Sequence, residues 1–440
     1  MLLTIEKLIY GGDGLARLPA DDRGPGKAVF IPFVLAGEKI EALLIEQKSG
    51  FARAQTQTVV EPSPLRVQPQ CPYFVRCGGC HYQHANYTHQ LEIKTEILRE
   101  NLRRIAKLEL QSEISVHPSP PWNYRNRSRL QVRTQPDFVA GYFKLSSHEV
   151  LLVETCPISS PLINRGIAAL WEIGRAGEVP EGVREVEFFA NADETQMLVE
   201  FSCGPDSKTS NLKAFAEEWR TVQPEILGVA AFREARPGAQ LTANVDLLSG
   251  ESYLTYQTQH SPYRVSVGAF FQTNRHLSNE LVKIVTEGYS GNLALDLYAG
   301  VGLFSTALAC NFHHIVSVES SHRALPDLQY NLPPNGEAVQ ATTEQYLSQH
   351  YGTDRPGKTS AKQKPDLVVV DPPRSGLGES VARSVANLGA PRLTYVSCDP
   401  ATLARDLVHL LAAGYRVEQA HLVDLFPHTY HLETVLQLVR

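Results

Sequence analysis

The chain has 440 residues, of which 43% are hydrophobic and 20% are charged. At about 150 residues per domain this length predicts roughly three compact units, and the ordinary composition excludes disordered, collagenous and coiled-coil proteins. Lysine and arginine total 41 against 47 aspartate and glutamate, a formal net charge of −6, so any nucleic-acid site must be a local basic surface.

The N-terminal sequence MLLTIEKLIYGGDG lacks the basic region, apolar core and cleavage site of a secretory signal. Apolar stretches elsewhere are shorter than the roughly 18 to 20 residues that span a membrane. We therefore expect no membrane association and a cytoplasmic location. Seven cysteines are too few for a disulfide scaffold, and in a reducing compartment a cysteine cluster more often binds metal or serves catalysis.

Residues 1–62 alternate β-rich runs with glycine turns, which predicts a small N-terminal β-barrel built from hairpins. The runs are LTIEKLIYGGDGLARL, KAVFIPFVLAGEKIEALLIEQ and GFARAQTQTVVEP. Pro62, Pro64 and Pro69 follow this unit and mark its boundary.

Cysteines are concentrated in the segment 71–84, CPYFVRCGGCHYQH, with the spacing C-x5-C-x2-C. Two glycines in this segment allow the loop to fold around an ion, and the later sequence CPI offers a fourth thiolate. Sulfur ligands suit either zinc or an iron–sulfur cluster, and the spacing alone does not choose between them. The candidate metal ligands are Cys71, Cys77, Cys80 and Cys156.

Residues 63–262 predict a central α+β domain, with helices in HQLEIKTEILRENLRRIAKL and LINRGIAALWEIGRAG among strand-like runs. The stretch 114–136 contains no acidic side chain and interleaves arginines with aromatic residues: Arg125, Arg127, Arg129, Arg133, Trp122 and Tyr124. Period-two alternation places three of the arginines on one strand face, suited to phosphates, with the rings available to unstacked bases. An ordinary solvated strand face explains the same pattern equally well.

Residues 263–440 alternate apolar strands with helical segments, which is typical of βαβ units in a doubly wound, Rossmann-like sheet. The strand-like runs are NLALDLYAG, HIVSVES, DLVVVDPP and RLTYVSC. The predicted fold class is therefore α/β, with this sheet at the C terminus, the small barrel at the N terminus and the mixed domain between them. Residues 351–365 are almost without apolar side chains and predict a mobile surface loop.

Ligands of open α/β sheets bind beyond the carboxyl ends of the strands, so the residues that end each run are candidates for a site. After Tyr298, Gly300 and Gly302 let a ligand approach the backbone closely, although a purely structural turn is the alternative. The third glycine of a dinucleotide fingerprint is missing from the sequence. Glu319 ends the next strand, where a carboxylate can accept two ribose hydroxyls.

Three further polar residues end or precede strands of the same sheet. Asp371, in VVVDPPR, lies at the edge of the expected pocket, or marks only a strand stop. Cys398 precedes a helix whose N-terminal partial charge favours a thiolate, although a lone strand-end cysteine is more often a core residue. Glu433 lies just ahead of the last strand, where it can act as a base unless it is simply solvated.

A set of motifs runs in order along nearly the whole chain: GGDGLAR with FVLAGEKIEALLIEQ, C-x5-C-x2-C, YRNRSRLQV, CPI, FFQTN, LDLYAGVG, DPPRSGL, SCDPATLARDL and HTYHLETV. This set resembles the bacterial RNA uracil-C5 methyltransferase family, especially its 23S ribosomal RNA branch. The resemblance implies an N-terminal RNA-binding TRAM domain, S-adenosylmethionine as methyl donor, a [4Fe-4S] cluster on the four cysteines, and a monomer. The tRNA-specific bacterial branch generally lacks the barrel and the cysteine cluster, which favours ribosomal RNA.

The resemblance also implies roles for individual residues. Carbon 5 of uracil is too weak a nucleophile to take a methyl group unaided, so Cys398 would add to carbon 6, and Glu433 would later remove the proton from carbon 5. The target base must leave its stack to reach the thiol, and Phe270 and Phe271 are candidates for stacking on it. The residues expected to contact S-adenosylmethionine or the uracil are Gln272, Tyr298, Glu319 and Asp371.

Other functions fit parts of the pattern. They are a tRNA uridine-C5 methyltransferase, a non-catalytic RNA-binding or ribosome-assembly factor, and a small-molecule or DNA methyltransferase. The joint presence of Cys398, Glu433 and Asp371 favours the catalytic RNA interpretation over these.

Overall fold

The computed structural model describes residues 1–19, 26–205, 207–233, 245–351 and 363–440. Within these residues the chain forms sheets of six, seven and eight strands and a two-stranded ribbon. The predicted α/β class is confirmed. Most of the loop expected at 351–365 lies outside the described residues. None of the described helices is long and apolar enough to cross a membrane.

The first 61 residues form a sheet of their own, here called the N-terminal sheet. Its strands are β1 (Leu2–Thr4), β2 (Lys7–Leu8), β3 (Asp13–Arg17), β4 (Ala28–Pro32), β5 (Lys39–Gln47) and β6 (Phe51–Glu61). They are ordered β1-β5-β6-β4-β3-β2, with every pair antiparallel except β4 and β6. Alternating residues of β5 are buried because only one side of the sheet covers an apolar core.

The central part of the chain contains a seven-stranded sheet with two helices packed on it. Its elements are α1 (Tyr87–Arg104), β7 (Ile114–His117), β8 (Arg127–Arg133), β9 (Val139–Phe143), β10 (Val150–Leu152), α2 (Pro161–Arg175), β11 (Val183–Ala190), β12 (Met197–Cys203), α3 (Thr209–Val222), β13 (Ile226–Arg233), β14 (Val245–Gly250), β15 (Tyr253–Gln257) and β16 (Pro262–Ser266). The sheet order is β10-β9-β8-β11-β12-β13-β14. Helix α2 begins where its sequence predicts, since Ser160 caps it and Pro161 occupies the first turn.

The C-terminal part is a doubly wound sheet, as the alternating pattern predicted. Its elements are α4 (Ser278–Thr286), β17 (Gly291–Leu297), α5 (Leu303–Leu308), β18 (Phe312–Glu319), α6 (Leu325–Asn331), β19 (Gly336–Gln340), α7 (Thr343–Tyr351), β20 (Leu367–Val370), α8 (Gly378–Leu388), β21 (Arg392–Ser397), α9 (Pro400–Ala412), β22 (Arg416–Val423) and β23 (Glu433–Val439). The order is β19-β18-β17-β20-β21-β23-β22-β7. Strand order reverses at β17, the position at which such sheets bind ligands.

The segment 87–117 packs with this last sheet although it precedes the central sheet in the chain. Strand β7 pairs in parallel with β22, with Ile114 opposite Ala420. Helix α1 buries its apolar side chains in the same core as those of α9. The last sheet is therefore completed by a segment that lies far from it in sequence.

A buried ion pair ties α1 to the segment that follows β22. Lys94 Nζ donates to Asp424 Oδ1 at 2.6 Å and to the Phe426 carbonyl oxygen at 2.9 Å, while the Tyr87 hydroxyl donates to Asp424 Oδ2 at 2.9 Å. The two charged side chains are 0% and 1% exposed. Their charges are compensated only by each other and by these hydrogen bonds, because water does not reach them.

Replacing Lys94 by Met is expected to lower the free energy of unfolding by about 3 kcal/mol, since Asp424 would keep a buried charge without its cation. Urea titration followed by circular dichroism measures the loss. Lys283→Met is the matched control, because Lys283 pairs with Glu287 at 3.8 Å on the surface and such pairs are worth less than about 1 kcal/mol. Equal losses in the two variants would contradict this assignment.

Candidate active site

The carboxyl ends of β17, β18, β20 and β21 lie at one edge of the eight-stranded sheet. Strand β23 runs antiparallel to β21 and begins at the same edge, because its second residue, Thr434, pairs with Ser397, the last residue of β21. The structure thus gathers at this edge residues that the sequence singled out: Tyr298, Glu319, Asp371, Cys398 and Glu433. We call them the strand-end cluster.

Backbone amides of two segments, the turn after β17 and the residues after β18, hold the Glu319 carboxylate by hydrogen bonds. The amide of Gly300 donates to Oε2 at 2.8 Å and the amide of Ser321 donates to Oε1 at 2.5 Å. Tyr298, a non-glycine residue, has a φ of 70°, a conformation usually reserved for sites under functional constraint. A Cβ placed on Gly300 would meet no atom within 4 Å, so the turn faces open space.

Three carboxyl groups crowd the cluster, and each has a raised pKa. Burial is the first cause for Asp296, whose pKa rises to about 6. Burial and then the charge of Asp296 raise the pKa of Asp371 to about 7. Burial and then Asp371 raise the pKa of Glu433 well above its usual range. The sequence analysis assigned no role to Asp296, although an acidic residue inside the apolar run LALDLY was a usable signal.

The Cys398 thiol is half-buried between β21 and α9. Burial and then the charges of Glu433 and Asp371 raise its pKa to about 12. The expectation that a helix N-terminus would favour the thiolate is therefore wrong for the free protein. Asp399 already caps α9 by accepting hydrogen bonds from the first amides. Burial first, and then the nearby carboxylates, favour the neutral thiol.

Arg374 is the cation beside this group of acids. Its Nη2 lies 3.3 and 3.4 Å from the ring nitrogens of His431, and its charge opposes the raised pKa values of Cys398 and Glu433. Burial, followed by Arg374, lowers the pKa of His431 to about 3, so this ring is neutral. Neither residue was assigned a role from the sequence.

The segment after β16 contains three of the predicted contact residues. Gln272 is 7% exposed, and its carbonyl oxygen accepts from Asn126 Nδ2 at 3.1 Å. Phe270 is 61% exposed and remains available for stacking on a base. Phe271 is only 2% exposed and packs on Tyr256 with ring centroids 4.4 Å apart, so its predicted stacking role is wrong.

The arginines of β8 share one face, as the alternation predicted, but Arg127 and Arg129 already contact other side chains of the protein. Arg129 Nε donates to Glu187 Oε2 at 2.8 Å, and Arg127 lies 4.1 Å over the Phe189 ring. Of the two aromatic residues of this stretch, Tyr124 is fully buried, while Trp122 is partly exposed and packs on the His428 ring. The prediction that these rings are available to RNA bases is therefore wrong for Tyr124 and stays a prediction for Trp122.

The four predicted metal ligands line one cavity of about 190 Å³. Burial raises the pKa of Cys77 to about 11, with the charges of Cys156 and Cys71 adding to it. In the described part of the chain, however, no three His, Cys, Asp or Glu side chains are placed to hold one metal ion. The cysteines come together as expected, and the metal stays a prediction.

Residues 86–440 match the family model of tRNA (uracil-5-)-methyltransferases. The chain belongs to this family. A protein of Aquifex aeolicus described as an uncharacterized RNA methyltransferase is 32% identical over 99% of this chain and 97% of its own length. The predicted enzyme class, an RNA uracil-C5 methyltransferase, is thereby confirmed.

Two further proteins that are similar to this chain carry more specific descriptions. A 23S rRNA (uracil(1939)-C(5))-methyltransferase of Vibrio parahaemolyticus is 30% identical over 98% of this chain and 94% of its own. The Pyrococcus abyssi tRNA (uracil-54, C5)-methyltransferase, solved with S-adenosyl-L-homocysteine, matches with a TM-score of 0.74 and 24% identity over 100% of both chains. This second likeness establishes the shared fold.

Because its pKa is raised, Cys398 in the free enzyme should react slowly with iodoacetamide at pH 8, and the rate should still be rising above pH 10. Glu433→Gln removes a negative charge that opposes the thiolate, so it should speed alkylation at pH 9. Mass spectrometry of the Cys398 peptide measures both rates. Glu287→Gln, on a surface helix end, is the control, and a slower reaction in Glu433→Gln would refute the electrostatic account.

Proposed function

We propose that the enzyme transfers a methyl group from S-adenosylmethionine to carbon 5 of a uridine in 23S ribosomal RNA, through a covalent bond between Cys398 and carbon 6. The observation that carries this proposal is the register of β21 and β23: Ser397 pairs with Thr434, so Cys398, which follows, and Glu433, which precedes, lie at the same sheet edge, where the charge of Glu433 acts on the thiol. A nucleophile and a base on adjacent strands suit successive reaction at two adjacent ring carbons.

In the proposed reaction Cys398 gives its proton to water as the sulfur bonds to carbon 6, and the ring electrons move to carbon 5 as an enolate. S-adenosylmethionine would supply the methyl group to carbon 5, its sulfonium S–CH3 bond breaking to leave S-adenosylhomocysteine. Glu433 then accepts the proton of carbon 5, and elimination of the Cys398 thiolate restores the ring double bond. Asp371, next to both, is proposed to orient the uracil edge or the methyl donor.

The methyl donor is proposed to lie along the turn after β17. A carboxylate has about four acceptor positions, so Glu319 can bind two ribose hydroxyls while it keeps its bonds to Gly300 and Ser321. Tyr298 and Gln272 are proposed to complete this site. The exposed ring of Phe270 is proposed to stack on a base that has left its helix.

Two observations support ribosomal RNA as the substrate. One is the full-length likeness to a 23S rRNA enzyme. The other is that the chain carries both the N-terminal sheet, proposed as a TRAM domain, and the cysteine cavity. A tRNA substrate is the second candidate, because the structural neighbour with the same fold acts on tRNA. We expect a cytoplasmic monomer.

The cysteine cavity is proposed to hold a [4Fe-4S] cluster. Its donor set is four sulfur atoms, the set such clusters use. The cavity of about 190 Å³ that they surround suits a cluster of several atoms better than one ion. The cluster would tie the loop 71–80 to Cys156, which lies far along the chain.

Cys398→Ala should abolish methyl transfer to RNA, by about a thousandfold or more. It should also abolish the covalent complex with RNA containing 5-fluorouridine, because no other group can form the carbon 6 bond. Transfer of labelled methyl to 23S rRNA and to tRNA transcripts measures both activity and preference. Cys310→Ala, at an exposed thiol, is the control. Retained activity in Cys398→Ala would refute the mechanism, and a preference for tRNA would select the second candidate.

Protein purified without oxygen should be brown and absorb broadly near roughly 400 nm if the cavity holds an iron–sulfur cluster. Cys80→Ala should lose this absorbance and its iron, while Cys310→Ala keeps both. A colourless protein with one zinc per chain would decide for zinc.

A further inference from the structure

The turn between β2 and β3 of the N-terminal sheet touches the strand-end cluster. The Tyr10 hydroxyl donates to the carbonyl oxygen of Cys398 at 3.3 Å. Burial and then the nearby Asp399 carboxylate raise the pKa of this hydroxyl. A residue near the start of the chain therefore contacts the backbone of the proposed nucleophile.

The position of this turn is closely determined. Gly11 and Gly12 have φ of 106° and 96°, which glycine adopts readily because it has no Cβ. These two residues reverse the chain directly after Tyr10. A Cβ on Gly12 would lie 3.2 Å from His81, so the turn fits closely against the cysteine segment. The Tyr10 ring meets Tyr430 edge to face, with centroids 5.6 Å apart.

Tyr10 contacts the peptide that links Cys398 to its neighbours, and hydrogen bonds on either side fix the backbone of this segment. Asp399 Oδ1 accepts from the amides of Ala401 and Thr402 at 3.0 Å and so fixes the start of α9. Ser397 Oγ donates to the Asp399 carbonyl oxygen at 3.0 Å. Cys398 lies between these two anchored residues, and Tyr10 holds the peptide between them from the opposite side.

We propose that Tyr10 is a positioning residue for the Cys398 nucleophile. Its hydroxyl holds the Cys398 carbonyl, directly before the Asp399 cap, so that the sulfur stays aimed at carbon 6 of the uracil. The inference rests on the proposed function, in which Cys398 attacks that carbon. It makes the N-terminal sheet a part of the catalytic structure, although that sheet lies outside the residues 86–440 that match the family model.

Tyr10→Phe tests this role, because phenylalanine keeps the ring contact with Tyr430 and removes only the hydroxyl. The expected result is a fall of about tenfold in kcat and in the single-turnover rate of adduct formation with 5-fluorouridine RNA, since small misplacements of reacting groups are costly. KM for RNA and for S-adenosylmethionine should stay within about twofold, because neither is bound by this hydroxyl, and the urea midpoint should not move. Tyr330→Phe is the matched control, as Tyr330 is 70% exposed.

The outcomes separate the alternatives. A wild-type kcat in Tyr10→Phe, with a loss only in Tyr10→Ala, would show that the residue merely packs the two parts together and would overturn the proposal. A raised KM for RNA at unchanged kcat would also overturn it, in favour of RNA contact. Retained adduct formation in Cys398→Ala would instead refute the proposed function, whatever Tyr10→Phe shows.

Discussion

The antiparallel pairing of β21 and β23 is the constraint on which the site depends. The two strands meet in the register Ser397 to Thr434, and that register brings Glu433 to the sheet edge at which Cys398 follows β21, near enough for its charge to act on the thiol. Side chains alternate between the faces of a strand, so a slip of one residue would turn Glu433 to the other face. The buried side chains of β23, which lie against both β21 and β22, hold the register.

The electrostatics of the cluster follow from this crowding. Asp296, Asp371 and Glu433 arrive on three different strands and share a space with little water, so each raises the cost of ionising its neighbours. The same negative charges, together with burial, raise the pKa of the Cys398 thiol, and the positive charge of Arg374 lowers it only in part. These surroundings therefore favour the protonated thiol of the proposed nucleophile in the free enzyme.

Segments from distant parts of the chain hold this cluster in place. The amides of His81 and Tyr82, directly after the last cysteine of the 71–80 loop, donate to the His428 carbonyl oxygen at 2.7 and 2.9 Å. Lys94 of α1 binds Asp424 and the Phe426 carbonyl in the same segment. That segment leads into β23, so the cysteine loop and α1 both support the position of Glu433.

The sequence by itself determined the class of the last sheet and the residues at its strand ends, because alternation and strand-to-loop transitions are local patterns. It also identified the four cysteines that share a cavity. Only the tertiary structure decided which side chains are exposed and which strands pair. It buried Tyr124 and Phe271, gave Arg127 and Arg129 partners within the protein, and paired β7 with a strand of the last sheet. It likewise decided the state of the Cys398 thiol, since burial and then charges from distant parts of the chain raise its pKa, and neither can be read from the local sequence.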